Sequence, residues 1–236
     1  MAKGTVNNGP FAIPLLWCGM RRRLLGIYAR LRAAHGPQGW WPGRTPFEIC
    51  LGAILTQNTS WANVVKALEP LRARGLLSYR RLRVVSVTRL APLIRSSGYF
   101  NLKARRVGAF VRFLGREYGG RVAGMRRETP GALRAKLLSV PGIGPETADS
   151  IGLYAAGLPL FVVDAYTRRV FTRLGMLSGR EPYDEVQALF MNSLPCDVGL
   201  YNDYHAQIVR LAKEACRTRP LCERCPLETL CPRQGL

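Results

Sequence analysis

The stretch Leu137-Leu138-Ser139-Val140-Pro141-Gly142-Ile143-Gly144-Pro145-Glu146-Thr147-Ala148-Asp149 sets two helix-compatible segments on either side of a tight turn. Glycine carries no Cβ, so at Gly142 and Gly144 the chain can take a positive φ and let backbone N–H groups approach an anion closely. Pro145 suits the first position of a new helix, whose free N–H groups and dipole favour negative charge. The reading is a helix–hairpin–helix able to grip a phosphate backbone without reading sequence. On its own, the same turn could also serve as a packing corner.

Outward from the hairpin the chain reads as helix almost throughout. Residues 1–19 look like a mobile tail, and a basic helix over Arg21–Ala34 stops before the Gly/Pro-rich loop Gly36–Gly43. Thr45 is placed to cap the next helix, Pro46 to open it, and Glu48 to complete a capping box. Further helices are predicted over Trp61–Arg74, Val87–Arg95, Lys103–Tyr118, Gly131–Leu138, Pro145–Ala156, Ala165–Leu174 and Tyr183–Leu194, with Gly157 and Gly175 as stops. Ser78–Val85 is ambiguous, Val84-Val85 giving a weak strand signal, and no convincing alternation of period two is found elsewhere. The fold class is all-α.

Against 15 Asp and Glu stand 35 Lys and Arg, a net charge of +20 and a pI near 10.6. Such an imbalance favours a polyanion as partner, since every phosphate neutralised releases condensed counterions. No stretch is long and apolar enough to span a bilayer. The apolar patch Phe11–Trp17 is broken by Pro14 and followed, not preceded, by the basic residues of Met20–Arg23, which makes a poor signal peptide. Seven cysteines would leave one unpaired in a disulfide scaffold, and four crowd into residues 216–236. That points to a metal site in a reducing cytoplasm. Cys216, Cys222, Cys225 and Cys231, spaced C-x5-C-x2-C-x5-C, suit sulfur ligation of either [4Fe–4S] or zinc. Cys18, Cys50 and Cys196 read as isolated thiols.

Asp164, in Val162-Val163-Asp164-Ala165-Tyr166, stands where a helix begins, and helix capping alone would account for it. Here the chain resembles a known family. VPGIGPETAD at 140–149, followed by FVVDAYTRRVFTRLG at 161–175, is similar to the hairpin and catalytic-aspartate segment of endonuclease III-like glycosylases of the helix-hairpin-helix superfamily. LGAILTQNT at 51–59, SGYFNLKARR at 97–106 and the terminal cysteines follow the same order, so the resemblance runs from about residue 38 to 231. It departs from the family at two points. The first cysteine loop is one residue short of the family's C-x6-C, and Glu146 stands where bifunctional members carry a Schiff-base lysine.

The resemblance implies that Asp164 and Glu146 are the catalytic candidates, with Asp164 stabilising the cationic sugar as the base leaves. A carboxylate cannot form a Schiff base, so a monofunctional glycosylase is expected, leaving an intact abasic site for a separate abasic endonuclease. Lys136 and Lys103 are the other amines near these motifs. DNA contacts would come from Gly142, Gly144 and Thr147 at the hairpin, from Gln57, inserted into the gap left by a flipped base, and from Asn101 against the opposite strand. WWPGRTPFE at 40–48 and Trp61 resemble the 3-methyladenine glycosylase III branch, where aromatics near Trp40, Trp41 and Trp61 line the base pocket. An alkylated purine such as 3-methyladenine is therefore the leading substrate. Uracil, mismatched thymine or adenine, and oxidised pyrimidines cut by a lyase are the alternatives, with a non-enzymatic damage sensor as a further one. The cysteines would hold a [4Fe–4S] cluster and turn Lys213, Arg217, Arg219 and Arg224 toward phosphates. His35 and His205 lie in no motif and read as structural. A six-helix lobe over 38–155 and a cluster lobe over 20–37 and 156–236 would clasp double-stranded DNA between them, in a cytoplasmic, nucleoid-associated monomer.

Overall fold

The computed structural model describes residues 13–236, with side chains from Gly19 onward. Helix α1 runs over Ile13–His35, so the expected tail is helical from Ile13 where it is described. Pro14 falls in the first turn, where its missing N–H removes no intrahelical bond. Residues 1–12 lie outside the description. Among the described residues there are eleven α-helices and no strand.

Helix α2 (Pro46–Leu55) is the centre of the first half. Thr45 Oγ1 accepts from Glu48 N at 3.1 Å, as a capping residue should. Glu48 does not complete the capping box: its buried carboxylate pairs with Arg72 at 2.7 Å, because a charge taken from water needs a charged partner. Every residue from Phe47 to Leu55 is buried, the mark of a helix enclosed on all sides. Around it lie α3 (Trp61–Ala73), α4 (Tyr79–Leu82), α5 (Val87–Leu93), α6 (Phe100–Tyr118), α7 (Pro130–Leu138) and α8 (Pro145–Ser150). The ambiguous segment Ser78–Val85 is thus a single helical turn with Val84 exposed, and not a strand. Lys103 of α6 is buried and donates to Leu55 O at 2.9 Å and Ser97 O at 2.6 Å, closing the C-terminal end of α2. Burial and the nearby Arg106 guanidinium push its amine down to about 8.

After α8 the helix widens over Ile151–Ala155, where Ala156 N reaches Ile151 O instead of the carbonyl one residue nearer. Such wide turns rotate the side chains that follow and are frequent at functional sites. The second half comprises α9 (Ala165–Arg173), α10 (Tyr183–Ser193) and α11 (Val198–Glu214), the last absent from the sequence-based expectation. Phe161 stacks on Phe190 at 4.1 Å, and Phe171, Tyr201 and Tyr204 pack edge-on around the pair. Tyr204 Oη donates to Leu24 O at 2.8 Å and His35 pairs with Gln207 at 3.0 Å, tying α11 to α1. His35 is structural, as expected. Asp149 of α8, fully buried, accepts from Arg134 of α7 at 2.9 Å and from Gln187 of α10 at 2.7 Å. That network fixes the hairpin to the second half of the chain.

Candidate active site

The hairpin between α7 and α8 takes the form its sequence predicts, with the work divided unequally between its glycines. Gly142 has φ +86°, and a Cβ there would collide with the Arg106 side chain. Gly144 is extended, with open space around it. Ile143 is buried and anchors the turn, so the outer rim is bare backbone. Thr147 is turned inward: its buried hydroxyl accepts from Gln57 Nε2 at 2.9 Å. Gln57 also donates to Gly142 O at 3.0 Å and accepts from Arg106, so the end of α2 is latched to the hairpin. Asn101 is exposed but stands in the first turn of α6, not on a loop. The loop position is Tyr99, which sequence reasoning passed over. It is held at φ +43° and is 72 % exposed, beside exposed Leu102. A non-glycine residue at positive φ with its ring in solvent is unusual enough to signal function.

Asp164 caps α9. Its Oδ1 accepts from Thr167 N at 2.7 Å and Thr167 Oγ1 at 2.9 Å, so the capping reading of the sequence holds in full. Oδ2 is left outside those bonds and stands 3.4 Å from Nε2 of His205 on α11. The ring's other nitrogen, Nδ1, is 2.5 Å from the Tyr154 hydroxyl on the widened turn. Burial works against the Asp164 carboxylate, but His205 and the two Thr167 donors outweigh it and hold its pKa below the usual range. Glu146 is displaced in the opposite direction. It is exposed at the surface yet closely surrounded by protein; that crowding, then the negative charge of Asp164, pushes its carboxyl up to about 7. Two carboxyl groups displaced in opposite directions are the mark of a divided acid–base assignment.

Trp40, Trp41 and Trp61 do come together. Trp41 sits edge-on to Trp61 at 5.1 Å and 5.7 Å from Trp40, and lies 4.8 Å from Tyr154, a fourth aromatic that sequence reading did not include. A Cβ on Gly52 would lie 3.2 Å from Trp61, so the cluster rests on a helix face stripped of side chain. The indole N–H of Trp41 is buried without an acceptor among the described residues, while that of Trp40 is turned to the Tyr154 hydroxyl.

The four expected cysteines line one cavity, with Arg173, Ala215 and Pro220. None is in a disulfide, and all are half-buried. Arg173 donates to Cys216 Sγ at 3.3 Å, positive charge that suits thiolates. Burial pushes the Cys225 thiol up, and the other three cysteines, near enough to repel its thiolate, act in the same direction. Among the described residues no three His, Cys, Asp or Glu are grouped around a single ion; the thiols ring a space instead. Four thiols lining one space suit sulfur ligation, of an iron–sulfur cluster or of zinc. Lys213, Arg217, Arg219 and Arg224 are all exposed nearby, and Cys50 is fully buried while Cys196 is exposed. The side chain of Cys18 lies outside the described residues. No described helix is long and apolar enough to cross a membrane.

Residues 51–196 match the family described as HhH-GPD superfamily base excision DNA repair protein. The chain is 44% identical over 207 residues to the Methanocaldococcus jannaschii protein MJ1434, whose name assigns it to the DNA repair glycosylases, with 87% of this chain and 94% of that one covered. It is 31% identical over 187 residues to endonuclease III of Thermotoga maritima, covering 79% and 82%. Among solved structures, a non-covalent endonuclease III–DNA complex superposes with a TM-score of 0.77 at 25% identity, over 90% of this chain and 95% of that one. The 3-methyladenine DNA glycosylase MagIII of H. pylori, bound to 1,N6-ethenoadenine, gives 0.69 at 29% identity, over 83% and 97%. With its helix–hairpin–helix, its capped aspartate and these relatives, the chain belongs to the HhH-GPD superfamily of base excision DNA repair proteins and is an all-helical DNA glycosylase of that superfamily.

Proposed function

We propose that this glycosylase is monofunctional: it hydrolyses the N-glycosidic bond of a flipped, damaged base and leaves an abasic site. The observation that carries the reading is the carboxylate pair. Asp164, ionised and with Oδ2 left outside the Thr167 bonds, is suited to stabilising positive charge as it develops on the deoxyribose. Glu146, poised near neutrality, is suited to accept the proton of a water as that water bonds to C1′ and the C1′–N electron pair departs with the base. Neither amine near these motifs is free to take the lysine's part. Lys103 is spent on two backbone carbonyls, and Lys136 is paired with Glu128 at 2.6 Å.

An alkylated purine such as 3-methyladenine is the leading substrate. A cationic base leaves without protonation and is drawn to the aromatic faces of Trp40, Trp41, Trp61 and Tyr154, and MagIII is similar over most of the chain. One observation favours a second reading. The buried indole N–H of Trp41, without an acceptor, suits a neutral oxo-base such as uracil or mismatched thymine, one of whose carbonyls would satisfy it. On the DNA side, the bare rim of Gly142 and Gly144 would hold the backbone. Gln57 would leave its latch to fill the emptied stack, and Tyr99, with Asn101 beside it, would press the opposite strand. Cys216, Cys222, Cys225 and Cys231 would hold an iron–sulfur cluster, [4Fe–4S] by family likeness, which supplies a covalent clasp for the C-terminal loop; base excision is not routed through it. The lobes 38–155 and 20–37 with 156–236 would clasp the duplex between them.

The test is single-turnover cleavage of a duplex panel carrying methylated purines, 1,N6-ethenoadenine, uracil, thymine mismatches, oxidised pyrimidines or a bare abasic site, each with and without alkali. Breaks that need alkali, chiefly at methylated purines, are expected. Breaks at uracil or thymine would select the second substrate, and breaks without alkali would overturn the monofunctional reading. Asp164→Asn should still bind the duplex but lose on the order of a thousandfold or more in base release.

A further inference from the structure

Asp164 and Glu146 carry the proposed reaction and Tyr154 enters it only as an aromatic face, while buried His205 behind them has no part in it. His205 is 4 % exposed and carries its ring to the catalytic aspartate from a helix 41 positions along the chain. Its Nε2 has no hydrogen-bond partner of good geometry among the described residues and lies 3.4 Å from Asp164 Oδ2. A buried ring nitrogen without a partner, in a site of catalytic geometry, requires an explanation.

Tyr154 supplies it. Burial, then the charge of Asp164, holds the phenol far above its usual pKa, so it keeps its proton and donates to Nδ1. The hydrogen on the imidazole is then on Nε2, facing Asp164. The opposite tautomer would set an Nε2 lone pair against a carboxylate lone pair at 3.4 Å. Because Thr167 occupies Oδ1 with two donors, Nε2–H is the one donor within reach of Oδ2 among the described residues.

We propose that His205, oriented by Tyr154, is a positioning residue of the glycosylase reaction, which directs Nε2–H at Oδ2 of Asp164 and fixes that oxygen toward the sugar. The inference rests on the catalytic reading of Asp164. The arrangement follows the logic of a nucleophile–histidine–orienter chain, with the carboxylate as the working end and the phenol as the group that sets the tautomer. Long apo contacts of this kind tighten once substrate excludes water. It also accounts for the widened helical turn, which places Tyr154 between Trp41 and His205 and so joins the aromatic cluster to the aspartate.

The groups facing Asp164 are Glu146 from α8, Tyr154 from the widened turn, His205 from α11 and Thr167 from its own helix. Of these, His205 and Thr167 favour its charged form and Glu146 does not. Carboxyl-carbon NMR titration of the free, full-length protein, with Asp164 assigned through Asp164→Asn, reads the effect directly. In His205→Gln the Asp164 titration should move up by about one pH unit or more, and in Tyr154→Phe by less. With Glu146→Gln in place to remove the limb near neutrality, the remaining acid limb of the single-turnover rate, on the duplex cleaved fastest in the panel above, should move up with it. Melting curves establish that both variants are folded, and Tyr154→Phe, which keeps the ring, carries the test should the histidine variant not fold. A titration unchanged in the folded variants overturns the proposal, and so does an acid limb that stays put while the carboxyl moves. Base release by Asp164→Asn would instead overturn the catalytic reading beneath it.

Discussion

Glu146 and Asp164 are the same kind of group in one cleft, and their surroundings separate them. Asp164 has a helix N-terminus, two Thr167 donors and His205, all favouring charge. Glu146 also stands in a first helical turn and also has His205 nearby, but the protein crowded around it, then the Asp164 charge, outweigh both, so its carboxyl sits near 7. The consequence has a sign. A base must be ionised to take a proton, so the rate should climb with pH through about 7, while Asp164 is already charged well below that. In Glu146→Gln the climb should vanish and leave a pH-independent rate lower by about a hundredfold in the same single-turnover assay. If the climb persists in that variant, another group is the base. From sequence, Glu146 was visible as a lysine's replacement, but its displaced titration was not, because the displacement comes from Asp164, 18 positions away, and from the atoms packed around it.

At the scale of elements, what was legible follows the range of the contact that makes it. Thr45, Gly142, Pro145, Gly157, Gly175 and the Asp164 cap act through neighbours within a few residues, and the sequence read them correctly. Helix α11 was missed because Gly199, Tyr201, Asn202, Asp203, Tyr204 and His205 are weak helix formers. What stabilises it is a buried face, Tyr201, Tyr204, Ile208 and Leu211, packed on α9 and on α1 far back in the chain. The signal that could have found it was present: Asp197 as cap, donated to by Leu200 N, followed by apolar positions three and four apart. Missing the helix left His205 read as structural, so one local omission concealed its place beside Asp164. The hairpin offers the sharpest element-scale prediction. In Gly142→Ala a Cβ meets Arg106 at a φ that disfavours side chains, a strain of about 1–2 kcal/mol. Arg106 can swing aside but the backbone cannot change hand without moving its N–H groups. Duplex affinity measured by anisotropy should fall about tenfold, with the melting temperature lowered by only a few degrees.

Across the whole molecule, α9 is the strut between the two chemical sites. Its N-terminus is Asp164 and its last residue is Arg173, roughly 13 Å apart for nine residues. The Arg173 guanidinium gathers the cysteine loop, donating to Cys216 Sγ, to Arg217 O at 2.6 Å and to Thr218 O at 3.1 Å, while Cys231 Sγ donates to Arg173 O at 3.2 Å. Arg169 also donates to Cys216 O and Arg30 to Thr229 Oγ1, both at 2.9 Å, and Leu227 is buried, but the loop from Cys216 to Cys231 otherwise has two single turns of helix and little buried apolar surface. A cluster bound by the four thiolates would therefore hold the loop, with its exposed Arg217, Arg219 and Arg224, against the end of α9. Asp164, at the other end, is fixed by Thr167 and His205 and does not depend on the cysteines. The two sites should separate on mutation. Cys225→Ser is expected to lose iron, measured by metal analysis, to melt at lower temperature, and to bind duplex more weakly with a shallower dependence on salt, because fewer phosphates are neutralised. At saturating DNA its rate of base release should stay within a few-fold of wild type, since the groups around C1′ are untouched. A variant that binds normally yet loses the chemical step would mean that the strut transmits more than position, and that the cysteine site shapes the carboxylate at its far end.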